Sequence, residues 1–209
     1  TLSSSSAASD VYKRQDIYAK VIEGIRQKCP DLVLCVSTSG RNHNTFEKRS
    51  QVLELDGPLK PDMASLTLGS LNFINQASLN SPEMIINLLS KMTENGILPE
   101  LEIFDTGMIN TAKVLQRKNL LKSPCYCNIL LGSIYSAQAT VFDLASMVQR
   151  LPDDFCWSAA GIGKFQQAMN YTAVIMGGHV RVGLEDSLFY HDAKPASNEM
   201  LIRRIVRFC

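Results

Sequence analysis

The chain has 209 residues, 45% of them apolar, and a formal net charge of +1. That length suits one domain with a sizeable core. So small a charge gives no electrostatic case for nucleic acid or an anionic membrane surface. No apolar run approaches the ~20 residues of a membrane span.

Residues 1–15, TLSSSSAASDVYKRQ, are Ser/Ala-rich without periodicity. They are set apart as an adapter-like or disordered segment, and 16–209 is taken as the domain. They also lack the apolar core of a signal peptide. The six cysteines, at 29, 35, 125, 127, 156 and 209, are scattered. They read as reduced core thiols, which implies a cytoplasmic setting. Cys125-Tyr-Cys127 has no second pair with which to build a metal site.

Helical spacing of Ile17, Val21, Ile22 and Ile25 predicts a helix over 16–28. LVLCVS (32–37) predicts a strand, with Thr38-Ser39-Gly40-Arg41 as its exit loop. A charged helix follows at 45–55. The strand Met63–Thr67 comes next, and then a helix from Ser81-Pro82-Glu83 to Asn95-Gly96. LEIF (101–104) is a strand leaving through Asp105-Thr106-Gly107, followed by a helix at 108–118. CNILL (127–131) precedes a helix at 138–149. FCWSA (155–159) leaves through Gly161-Ile162-Gly163 into a helix at 164–175. A strand at 179–185 and a helix at 197–208, capped by Ser197, complete the pattern.

Six strands alternating with helices predict a parallel sheet covered by helices. Polar residues end every strand, which favours a (β/α)8 TIM barrel over a doubly wound sheet. About six of its eight strand–helix units are present.

The richest stretch is Gly177-Gly178-His179-Val180-Arg181-Val182-Gly183-Leu184-Glu185-Asp186. Read as a strand, it puts Val180, Val182 and Leu184 on one face, and His179, Arg181, Gly183 and Glu185 on the other. Arg181 then lies ~13 Å along the strand from Glu185, and His179 ~20 Å from it. His179 is therefore a structural histidine at the far end of the strand. His43 and His191 lie in loops and form no HxH or HxxxH pair. Paired carboxylates beside an arginine stay ionised and positioned, which suits a base or a metal ligand. Glu102 is an acid inside an apolar strand and needs a partner, for which Arg181 is the candidate. Ser39 and Thr67 are strand-end hydroxyls able to bind a carboxylate. Gly161-Ile162-Gly163-Lys164 reads as a tight turn rather than a phosphate site. A Schiff-base aldolase would need a strand-end lysine, and Lys164 lies past its strand in that turn.

ASLTLGSLNF (64–73), PELEIFDTGM (99–108), WSAAGIGK (157–164) and GGHVRVGLED (177–186) together resemble the β-keto acid cleavage enzymes over residues 16–209. The resemblance implies a zinc-dependent TIM barrel that converts a β-keto acid and acetyl-CoA into acetoacetate and a new CoA ester. It implies Glu185 as a zinc ligand, with two histidines of an HxH motif that precedes the matched region. It implies Asp186 as the base, working with Arg181, and Glu102 as a further catalytic acid. Ser39 and Thr67 match the substrate-binding hydroxyls. The loop reads TSGR where the family has TTGG, so Arg41 is expected to select an acidic or polar substrate.

The resemblance also implies a homo-oligomer, a tetramer, with small-molecule partners and no nucleic acid or membrane. The chain is expected to be an N-terminally truncated frame that binds zinc weakly and is unstable or inactive by itself. The alternatives are an inactive barrel fragment and another metal-dependent aldolase-type lyase.

Overall fold

The computed structural model describes residues 4–190 and 194–209, with side chains from residue 15 onward. His191 lies outside the described residues. The helix α1 spans Ser4–Lys28, so helical backbone begins well before the expected residue 16. The following elements are β1 (Cys35–Val36), α2 (Phe46–Ser50), β2 (Met63–Thr67), β3 (Leu71–Asn72), β4 (Ala77–Ser78) and α3 (Pro82–Glu94). Then come β5 (Leu98–Ile103), α4 (Thr106–Arg117), β6 (Cys125–Leu131), α5 (Val141–Val148), β7 (Phe155–Gly161), α6 (Gln166–Ile175), β8 (His179–Val180) and α7 (Asn198–Val206).

Six of these strands form one sheet in the order β1-β2-β5-β6-β7-β8. The pairs β1–β2, β6–β7 and β7–β8 are parallel. This is the strand–helix alternation of a partial TIM barrel, as the sequence predicts. The short strands β3 and β4 went unpredicted. Two residues each give too little periodicity to read.

The chain divides into two compact units: residues up to Ser70 with Ala77–Glu100, and Leu71–Gln76 with Leu101–Cys209. In the first, α3 buries Ile85, Leu88, Leu89 and Met92. That spacing is one stripe of a helix. Ser81 caps α3 by accepting from the Met84 amide at 3.1 Å. Asn95 ends it, and Gly96 adopts φ +63°, a left-handed exit that glycine takes without strain. The strand expected at 32–37 shrinks to Cys35–Val36 because the Leu34 amide donates to the Asp62 carboxylate at 2.8 Å. The helix expected at 45–55 tightens after Ser50 into a 3-10 turn, Gln51–Glu54.

In the second unit β6 and β7 pair over their full lengths, from Cys125↔Phe155 to Leu131↔Gly161. Buried Ile129, Leu131, Ala159 and Ala160 form its centre. Gly161 has a steric duty: a Cβ there would lie 2.2 Å from the Phe165 carbonyl oxygen. The chain thus folds tightly from β7 into a 3-10 turn, Gly163–Phe165, and then α6. Of the six cysteines only Cys125 and Cys127 are buried. Cys29, Cys35, Cys156 and Cys209 are exposed, so they are not core thiols. Burial pushes the Cys127 thiol up to about 12, with Cys156 and Cys125 adding to the shift. Among the described residues no helix is long and apolar enough to cross a membrane.

Candidate active site

The strand expected at 179–185 ends at Val180. Beyond it the main chain turns, and the amides of Asp186 and Ser187 both donate to Gly183 O, at 3.2 and 3.1 Å. The ~13 Å rise from Arg181 to Glu185 therefore does not apply. Nor does the ~20 Å separation assigned to His179 along the strand. The turn folds both carboxylates back onto the guanidinium.

Arg181 holds Asp186 side-on, Nε to Oδ2 at 2.9 Å and Nη2 to Oδ1 at 3.2 Å. Nη2 also reaches Glu185 Oε2 at 3.1 Å, and Nη1 reaches Glu102 Oε1 at 3.5 Å. The partner expected for Glu102 is thus in place. Its position follows from strand periodicity: Leu101 and Ile103 are buried on one face of β5, and Glu102 faces the other way. The Asp186 side chain is 4% exposed and the Glu185 side chain 61%. Burial alone would lower the Arg181 pKa. The charge and hydrogen bonds of Asp186, with Glu102 and Glu185, more than reverse this and raise it. The guanidinium is a permanent cation that orients three carboxylates. A cavity of about 400 Å³ opens here, lined by Arg181, Glu185, Asp186, Asn198 and Ile202.

The remaining predicted residues belong to the first unit. The β1–β2 ladder pairs Cys35 with Met63 and Val36 with Ala64, and Ser39 lies in the loop three residues past its end. Thr67 is buried at the end of β2, and Ser39 is half-buried. Ser39 Oγ accepts from the Arg41 amide at 3.3 Å, which folds the TSGR loop on itself. Thr38 ties the loop to β2 by donating to Ser65 O and by taking Ser65 Oγ at its amide.

Sequence reasoning missed four residues. Buried Arg49 braces the loop through Thr38 O at 2.8 Å and Asn80 Oδ1 at 2.6 Å. Gln166, Asn170 and Asn198 bond the main chain of the Arg181–Asp186 turn. A signal existed for two of them. Gln166 and Asn170 occupy the same buried stripe of α6 as Met169 and Ala173, and a polar residue on such a stripe needs a dedicated partner.

Glu185 is the one expected zinc ligand in the chain. Among the described residues no group of three His, Cys, Asp or Glu side chains could hold a metal ion. His179 is exposed on β8 in register with Ser158, and His43 lies in the loop after β1. These residues do not fit a complete zinc centre, which needs three or four protein donors.

Parallel strands with helices between them, and an arginine–carboxylate cluster beyond the last strand, are the plan of a TIM-barrel enzyme. A family model described as beta-keto acid cleavage enzyme matches residues 7–209. The chain belongs to that family. It is 38% identical over 192 residues to the 3-keto-5-aminohexanoate cleavage enzyme of Fusobacterium nucleatum, covering 91% of this chain and 68% of that protein. The enzyme of the same name from Acetoanaerobium sticklandii is 36% identical, covering 89% and 67%. The 3-oxoadipate:acetyl-CoA acetyltransferase of Cupriavidus necator is 33% identical, covering 93% and 68%. The apo structure of ObcA shares the fold, with TM-score 0.81 at 20% identity, over 92% of this chain and 50% of that one. The chain thus spans about two thirds of these relatives and half of that solved structure.

Proposed function

We propose that the chain carries the base-bearing part of a β-keto acid cleavage site, in which Asp186 and Arg181 act on a β-keto acid with acetyl-CoA as co-substrate. The observation that carries this is the side-on Arg181–Asp186 pair at 2.9 and 3.2 Å, at the mouth of a cavity. A carboxylate held by a permanent cation stays ionised and oriented, as a base must.

In this reading Asp186 takes a C2 proton from the β-keto acid. The C2 carbanion attacks the acetyl carbonyl of acetyl-CoA, a C–C bond forms, and CoA thiolate leaves. The thiolate then adds to the C3 carbonyl. The C2–C3 bond breaks with its electron pair going to C2, and the proton on Asp186 returns there. Acetoacetate and a new CoA ester result, with every atom and proton accounted for. Arg181 holds Asp186 through both proton transfers, and Glu102 braces the guanidinium from β5. The family resemblance assigns Ser39 and Thr67 to the substrate carboxylate, and Arg41 to substrates with an acidic or polar tail.

Zinc dependence belongs to this proposal only through Glu185, whose exposed carboxylate would be one ligand. The zinc content of purified protein, measured beside that of Glu185→Gln, tests this point. A tetramer is proposed on the family resemblance, and a cytoplasmic setting on the reading of the scattered cysteines as reduced thiols.

The test of the reaction is a panel of β-keto acids incubated with acetyl-CoA, read as acetoacetate and CoA-ester formation. Asp186→Asn should lower kcat by ~10²–10⁴ without loss of fold. Activity undiminished in Asp186→Asn would overturn the assignment of the base.

A further inference from the structure

The turn that carries Asp186 is held from outside by its main chain. Asn170 Nδ2 donates to Arg181 O at 3.0 Å and to Ala159 O at 2.9 Å. Gln166 Nε2 donates to Gly183 O at 3.1 Å. Asn198 Oδ1 accepts from the Leu184 amide at 2.9 Å, and the Gly163 amide donates to Asp186 O at 2.6 Å.

Behind Gln166 sits Arg204. Its Nη2 donates to Gln166 Oε1 at 3.2 Å, and its Nη1 donates to Tyr190 O at 3.4 Å. It also lies over the Tyr190 ring, 5.0 Å from the centroid. Arg204 is only 5% exposed, and its Nε is buried without a partner among the described residues. Burying a cation this way costs stability that an apolar residue on the α7 stripe would not cost. What the guanidinium does instead is set an orientation. It donates only and cannot lose its proton, so Gln166 must turn Oε1 towards it and Nε2 towards Gly183 O.

We infer that Gln166, oriented by Arg204, and Asn198 are positioning residues that fix the Arg181–Asp186 turn and thereby place the Asp186 carboxylate. The kinetic consequence rests on the proposed function, whereas the structural consequence does not.

Two variants separate these. Gln166→Glu keeps the size and the Arg204 contact but loses the donor to Gly183 O. Asn198→Ala removes the acceptor for Leu184 at an exposed site, so it folds even where a buried change does not. Gln167→Glu is the control, with the same charge one residue along α6. Amide hydrogen exchange of the segment 181–187 should quicken about three- to tenfold in both variants, with other segments and the control unchanged. With a cleaved β-keto acid, kcat should fall about tenfold or more while KM moves little. Unchanged exchange in both variants, or quickening spread evenly over the chain, would overturn the inference. Local quickening in a chain that cleaves no β-keto acid would support the positioning and count against the proposed function alone.

Discussion

Replacing Arg181 by methionine leaves the shape of the stem but strands the carboxylates it holds. Asp186 is the costly one, with 4% side-chain exposure and two hydrogen bonds to the guanidinium at 2.9 and 3.2 Å. Glu102, 15% exposed, adds to it. Glu185 at 61% exposure is screened by water and adds little, about 0–1 kcal/mol. Removing one partner of a buried ion pair costs about 3–5 kcal/mol, because the remaining charge is left without compensation. For a chain of this size that corresponds to a fall in Tm of about 6–20 °C.

The assay is urea denaturation followed by circular dichroism, on the wild type, Arg181→Met, Asp186→Asn and the double variant. The double variant should be more stable than the sum of the single losses predicts, with a coupling energy of about 2 kcal/mol or more. A loss below about 1 kcal/mol for Arg181→Met, or strict additivity, would refute the reasoning that the pair is desolvated and mutually dependent.

Gly161→Ala should destabilise the chain by about 2–3 kcal/mol, since the new Cβ meets the Phe165 carbonyl rather than a movable side chain; an unchanged melting curve would count against the tight β7–α6 turn. Iodoacetamide at pH 8 should label Cys29, Cys35, Cys156 and Cys209 in the folded protein and spare buried Cys125 and Cys127, which peptide mass mapping reads directly. The raised pKa of Cys127 also sets a sign: its contribution is complete below the ordinary thiol value of 9.0 and is lost as pH rises from there towards about 12. Cys127→Ala should therefore flatten the fall in stability over that window. Arg41→Ala should shift the preferred β-keto acid away from acidic or polar side chains, and an unchanged substrate profile would remove Arg41 from the specificity assignment.

The elements legible in the sequence were those whose signals are local. The sequence predicts Met63–Thr67 with its bounds, and α3 between Ser81-Pro82-Glu83 and Asn95-Gly96, because caps and periodicity act within a few residues. The Glu102–Arg181 pair, 79 residues apart, was legible because a lone acid on an apolar strand demands a cation. The last strand is shorter than its sequence pattern predicts because its ending depends on distant side chains. Asn170 and Gln166 take the carbonyls of Arg181 and Gly183, so the main chain turns after Val180 instead of extending the ladder. The shortened first strand has the same kind of cause in the Asp62 carboxylate. Residue type alone does not fix the exposure of the four cysteines outside the core, which lie on the edge strand β1, at the start of β7 and past the ends of α1 and α7.

The most direct test of Asp186 as a base is proton exchange at C2 of a β-keto acid in deuterated water, followed by NMR without acetyl-CoA. This isolates the proton transfer from carbon–carbon bond making. Wild-type protein should exchange the C2 protons well above the buffer rate, and Asp186→Asn should lose that excess by ~10²-fold or more. Exchange equally fast in the Asp186→Asn variant would contradict the account.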